Sequence, residues 1–280
     1  MTRKNEIRKL LSLSPDQVIQ KAGKYLVALN TIDDLHQHLA QSIYDEVVQN
    51  NQQGKRTSLI LPVGPTGQYS ILADLLVKGD VSLAKCWFFF MDEYCDDNGH
   101  VLSVDHPLSF RRIAHELFLD KVAKHCQLNW EQMIFPNEDN IHKIPDLIEQ
   151  VGGIDTCYGG IGIHGHVAFN EPEVGVMDLS CRKVRLNDFT VTINAIRSQV
   201  GGNVEGFPRY AYTLGMKEIL SAKRIRLYCR NGIDLDWANT VLRLALLGEP
   251  SDDYPVTYIR NTDYIITTDY DTLQSPVYVI

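Results

Sequence analysis

Apolar residues recur every fourth position at Leu35, Leu39, Ile43 and Val47, which predicts an amphipathic helix following Thr31. Upstream, Ser14-Pro15-Asp16 is a helix start, a capping hydroxyl with proline at the first helical position, and the pattern from Val18 to Leu29 continues that helix. The period then changes. "TSLILPV" (57–63) is a continuous apolar run of strand length, "GPTG" punctuates it, and "QYSILADLLVKG" resumes helical spacing. "KCWFFFMDEY" (85–94) reads as an aromatic-rich strand, "PLSFRRIAHELFLDKVA" as a helix, "IPDLIEQVGG" as a short helix closing on glycine, and "IDTCYGGIG" as a third strand. Later, "RIRLYC" (224–229) is a strand, "DLDWANTVLRLALLG" a helix, and "PVTYIR" with "TDYIITTD" closing strands. Strands alternating with helices imply right-handed βαβ crossovers, hence an α/β fold with a mostly parallel sheet and helices on both faces. No Pro/Gly/Ser linker cuts the chain. A single α/β domain over 1–280 is expected, with 1–50 as an N-terminal helical extension to a core at 57–268.

Composition narrows the class. The 280 residues, 44% hydrophobic and 22% charged, suffice for a full core and argue against disorder. A net charge of −8 without a Lys/Arg block makes nucleic acid a poor partner, because phosphate neutralisation needs a concentrated basic surface. The apolar part of "MTRKNEIRKLLSLSPDQ" is too short and interrupted for a signal segment, and no run is long enough to span a bilayer. A cytoplasmic protein without a membrane partner is expected. Cys86, Cys95, Cys126, Cys157, Cys181 and Cys229 form no CxxC and read as reduced, mostly buried thiols.

In an open parallel sheet, ligands bind beyond the carboxyl ends of the strands. Three stretches lie there. In "LPVGPTG", backbone N–H groups around Gly64, Thr66 and Gly67 could hold an anion, though a plain tight turn is an equal reading. In "FFFMDEY", Asp92 and Glu93 end an apolar strand. Partial desolvation there would raise a carboxyl toward the range of a general base, while composition alone favours a helix cap or turn acid. The third stretch, "GGIGIHGHVAFNEPE" (159–173), supplies glycines for close ligand approach, the imidazoles His164 and His166, and Glu171. Histidine moves protons near neutral pH, and a carboxylate behind it can fix its tautomer. His-x-His with a carboxylate could also ligate zinc, but no further His or Cys stands at close spacing, so no metal is expected.

"MDEY" (91–94) followed by "GIGIHGHVAFNEP" (160–172), with "HPLSF" (106–110) and "FPRYAYTLGMKEIL" (207–220), resembles the glucosamine-6-phosphate deaminase/isomerase family over about Thr57 to Leu247. The resemblance implies a Rossmann-like fold shared with ribose-5-phosphate isomerase. It also implies aldose–ketose isomerisation with loss of ammonia from an amino sugar or its phosphate, without a cofactor. Asp92 would then move the proton from C2 to C1, His166 would open the sugar ring, and Glu171 would orient His166. Gly64, Thr66, Gly67, Glu93, Gly162, His164, Gly165 and Asn170 would contact the substrate.

The chain departs from the family pattern. His164 replaces an Asp, which should weaken support for a protonated His166. Thr190 and Asp234 stand where the family's Arg and Lys grip the phosphate, and "VGPTG" replaces a TGGT-like turn. An unphosphorylated or differently charged sugar is therefore expected, unless His164, Arg182 or Arg230 compensates. "SCRKVR" (180–185), where family members bind an effector, is expected to be a solvated strand edge. Two further readings are a 6-phosphogluconolactonase-like hydrolase, which the MDEY and NEP pair opposes, and an inactive sugar sensor. His164 and Asp234 favour the sensor; Asp92, His166 and Glu171 oppose it. The expected partner is a small sugar, with a homo-oligomer left open.

Overall fold

A computed structural model describes residues 2–232 and 235–280. Helices α1 (Arg3–Leu11) and α2 (Pro15–Ala22) open the chain, and Ser14 caps α2 in a reciprocal exchange with Gln17. Gly23, at φ +54°, ends α2. The helix expected to reach Leu29 therefore stops short, and Leu26–Leu29 is strand β1. Its register opposite Ile266 to Asp269 supplies backbone partners that outweigh the local helical pattern. Helix α3 (Ile32–Gln52) starts at the Thr31 cap and buries Leu35, Leu39, Ile43 and Val47.

Strand β2 (Thr57–Leu61), helix α4 (Gly67–Lys78) and strand β3 (Cys86–Phe90) follow. The aromatic run breaks at Met91, and β4 (Asp92–Cys95) joins a different sheet. Helix α5 (Phe110–Ala114) passes through a π-helical turn, His115–Leu119, into α6 (Asp120–Ala123). Then come β5 (Met133–Ile134), α7 (Ile144–Gln150), β6 (Thr156–Gly160), β7 (Arg182–Arg185) and α8 (Asp188–Arg197). The chain continues through β8 (Tyr210–Thr213), α9 (Met216–Leu220), β9 (Arg224–Cys229), α10 (Ala238–Leu247), β10 (Tyr264–Asp269) and α11 (Tyr270–Leu273). "PVTYIR", expected to be a strand, lies in the 3-10 helix Pro255–Asn261. Pro255 has no N–H for a ladder, and the Thr257 hydroxyl donates to the Tyr254 carbonyl at 2.7 Å, closing the turn.

The seven-stranded parallel sheet has the order β1-β10-β9-β6-β2-β3-β5, and β4-β8-β7 form a small antiparallel sheet. Strand order runs outward from β2 to β3 and β5, then returns to the other side of β2 with β6. That reversal is where a doubly wound sheet opens a crevice. Side chains alternate across the large sheet: Leu59 and Phe88 join a core with α3 and α4, while Ile60 and Phe89 join one with α7 and α10. The N-terminal segment is thus part of both the sheet and its packing, not only a helical addition. Arg243 is fully buried, and donates to the carbonyls of Asn239 (3.1 Å), Leu273 (2.9 Å), Leu13 (3.4 Å) and Gln274 (3.4 Å). All six cysteines are free and buried. Among the described residues, no helix is long and apolar enough to cross a membrane.

Candidate active site

A cavity of about 380 Å³ opens where β2, β3, β6 and β9 end. Gly64 and Thr66 reach it from the turn after β2, Asp92 from the start of β4 just beyond β3, Gly162 and His166 from the loop after β6, and Arg230 from just after β9. Helix α8 adds Asn194 and Arg197. The strands are parallel, so all these loops leave the sheet at one edge.

Asp92 is 7% exposed and sits opposite Thr213 in the β4–β8 ladder. Burial, reinforced by the neighbouring Glu93 charge, pushes its carboxyl up to about 8. Its charged form is left poorly solvated by the protein. Glu93, expected to contact substrate, is turned away. Its Oε1 accepts from the amides of Tyr94 and Phe110, both at 2.9 Å, and its Oε2 from the Arg111 amide (2.7 Å) and Ser109 Oγ (3.1 Å). Burial raises the Glu93 pKa, and these donors offset part of that rise. Glu93 fastens the start of α5, because a carboxylate suits the unpaired N–H groups of a helix N-terminus.

His166 is drawn down to about 4 by burial first and by His164 second, so its ring is neutral at neutral pH. Its Nε2 lies against Gly162, where any Cβ would overlap the ring. The expected hydrogen bond between His166 and Glu171 is not formed: Nδ1 of His166 and Oε1 of Glu171 are both buried without a hydrogen-bond partner. Glu171 Oε2 instead accepts the Asn187 amide at 2.7 Å, at the cap of α8. Burial raises the Glu171 carboxyl, an effect that Thr190 and the Asn187 amide partly offset.

Four other expected contacts stand behind the cavity wall. His164, at φ +58°, lies edge-on to Phe189 (5.2 Å) and Tyr254 (6.4 Å). Gly165, at φ +68°, packs on Val256 and Tyr254. Asn170 donates to the carbonyls of Val167 (3.0 Å) and Leu214 (2.8 Å) and accepts from Arg182 Nη1 (2.9 Å). Gly67 opens α4 beneath His36, with no room for a Cβ. These residues hold the loops in place.

The cationic groups at the cavity are Arg197 and Arg230. Arg197 pairs with Asp236 at 2.7 Å and stacks over Trp237 at 5.0 Å. Arg182 is taken up by Asn170 and Glu173. Thr190 is buried under α8, and Asp234 lies outside the described residues. Asn194 and Arg197 went unnoticed in the sequence; their signal was spacing alone, since i and i+3 on a helix share a face. "SCRKVR" contains β7, whose residues alternate between half-buried and exposed at the rim of the small sheet.

No family model matches the chain. The glucosamine-6-phosphate deaminase of Aliivibrio fischeri (strain MJ11) is 30% identical over 212 residues, covering 72% of this chain and 75% of the relative. The chain belongs to the glucosamine-6-phosphate deaminase family. A solved monomeric glucosamine-6-phosphate deaminase of the NagB superfamily superposes with a TM-score of 0.74 at 25% identity, over 88% of this chain and 98% of its own. The 6-phosphogluconolactonase of Thermotoga maritima, at TM-score 0.63 and 15% identity over 87% and 98% of the two chains, shares the fold.

Proposed function

We propose that this protein is an amino-sugar deaminase that converts glucosamine-6-phosphate, or a close amino-sugar phosphate, to a ketose phosphate with release of ammonia. The observation that carries this reading is that Asp92 and His166 line one cavity together with Arg197 and Arg230. Neutral His166 accepts the proton of the anomeric hydroxyl and passes it to the ring oxygen as the ring bond breaks. Ionised Asp92 takes the C2 proton, the electron pair left behind forms the C1=C2 bond, and O1 gains the proton that the C2 ammonium group gives up. Asp92 returns its proton to C1, leaving an imine at C2. Water adds there and ammonia departs. Asp92 and His166 thus each take up one proton and give it back.

The two guanidiniums offer the charge that Thr190 cannot, so the expectation of an unphosphorylated sugar gives way to a phosphorylated one. The test is ammonia release from glucosamine-6-phosphate and from glucosamine, in wild type and in Arg197→Met and Arg230→Met. Each substitution should cost about 1.5–3 kcal/mol, or roughly 10- to 100-fold in kcat/KM for the phosphorylated sugar, with little change for the neutral one. Equal losses on both sugars would remove the arginines from phosphate binding. No ammonia from either sugar would sink the reading.

A further inference from the structure

Helix α8 brings Asn194 and Arg197 to the cavity, yet its apolar footing is small. Val191 and Ala195 are the side chains it buries against Tyr94, Phe169 and Phe207. Phe189 is 64% exposed on the same helix. Its ring meets His164 at 5.2 Å and 88°, the edge-to-face geometry that aromatic quadrupoles favour. His164 is itself held by the site loop and by the Tyr254 ring at 69°, and Tyr254 carries the Arg3 guanidinium at 5.8 Å. The position where the resembled family has an acid thus holds a ring here, and that ring has an aromatic neighbour on α8.

We propose that Phe189 is a positioning residue whose contact with His164 docks the first turn of α8 on the site loop, so that Asn194 and Arg197 stand at the cavity. This rests on the deaminase reading for its kinetic consequence. Other ties act along the helix: the Glu171 carboxylate on the Asn187 amide, Asn194 Nδ2 on the Tyr94 hydroxyl at 3.1 Å, and Arg197 on Asp236. In the same turn the exposed Asp188 accepts from Arg209 at 3.1 Å, a tie to the segment before β8 and not to the site loop; the Phe189 ring faces solvent apart from its contact with His164, so its removal spares the core.

The test compares Phe189→Ala, Phe189→Tyr, His164→Ala and the double alanine variant. With glucosamine-6-phosphate, Phe189→Ala should raise KM roughly three- to tenfold, and by more than it lowers kcat. Phe189→Tyr should restore the wild-type KM, and the double variant should show a KM no worse than the weaker single. Hydrogen exchange of the α8 amides should quicken in Phe189→Ala while β6 and β9 amides hold. Additive KM effects, or unchanged α8 exchange, would overturn the proposal. Exchange needs no substrate, so it decides the docking contact even if glucosamine-6-phosphate is not turned over, a result that would sink the functional reading alone.

Discussion

Asp92 and Glu93 are neighbours with the same chemistry and opposite fates. Asp92 must be ionised to accept a proton, and its pKa of about 8 predicts that kcat/KM rises with pH up to about that value. A bound amino sugar's ammonium group would favour the carboxylate, so the limb in kcat should lie at lower pH; rate profiles from pH 5 to 9 check both. Stability moves the other way. The unfolded chain ionises Asp92 near 3.8 while the folded one keeps the proton to about 8, so stability falls as pH climbs through that window. Asp92→Asn removes this cost along with the base. Its turnover should drop about 10²- to 10⁴-fold, while its melting midpoint gains on wild type as pH rises, by about 2–4 °C per kcal/mol. The sequence marked the pair as acids at a strand end but not which one faced the cavity. That depends on the Ser109–Arg111 turn, distant in sequence, which claims Glu93.

Among the elements, the loop after β6 carries the tightest constraint. A methyl group at Gly162 would overlap His166 Nε2. Gly162→Ala should therefore displace the imidazole and lower kcat about 10²-fold, with a small change in melting temperature, checked by kinetics and by the His166 ring resonances. Two buried parallel strands were legible because both faces are apolar, so "TSLIL" and "CWFFF" read as near-continuous runs, while "RIRLYC" showed itself by alternation, with half-buried Arg224 and Arg226 between buried Ile225 and Leu227. The short partly exposed strands were not. β7 presents Arg182, Lys183 and Arg185 around a single valine, and the apolar residues of β1 prolong the helical pattern that starts at Val18. The passage from β3 to β4 changes sheets at Met91 while every residue from Phe88 to Cys95 stays buried. The MDEY and loop motifs pointed to Asp92 and His166, whereas the arginines beside them come from segments that carry no motif.

At the scale of the molecule, Arg243 ties α10 to Leu13 near one end and to Leu273 and Gln274 near the other. No carboxylate shares its burial among these contacts. Arg243→Met would keep much of the volume and strand several carbonyls, so a loss of roughly 3 kcal/mol is expected. It should appear as a lower urea midpoint at unchanged slope. The Asp92 pH profile, measured alongside, should stay in place.

The pairing of Leu26–Leu29 with Ile266–Asp269 also sets an order of events during synthesis. A strand made near the start has no neighbour until the last part of the chain emerges, a wait on the order of ten seconds at common elongation rates. Through that interval Leu26–Leu29 remains an unsatisfied apolar segment, and β9, once made, offers an open edge until β10 arrives. Closure of this side of the sheet should then follow the folding barrier. Ile266→Val, a loss of one buried methyl group, should speed unfolding severalfold and leave the refolding rate unchanged, as stopped-flow measurements in urea would show. The middle of the chain, which holds Asp92 and His166, can assemble while its first strand still waits for its last.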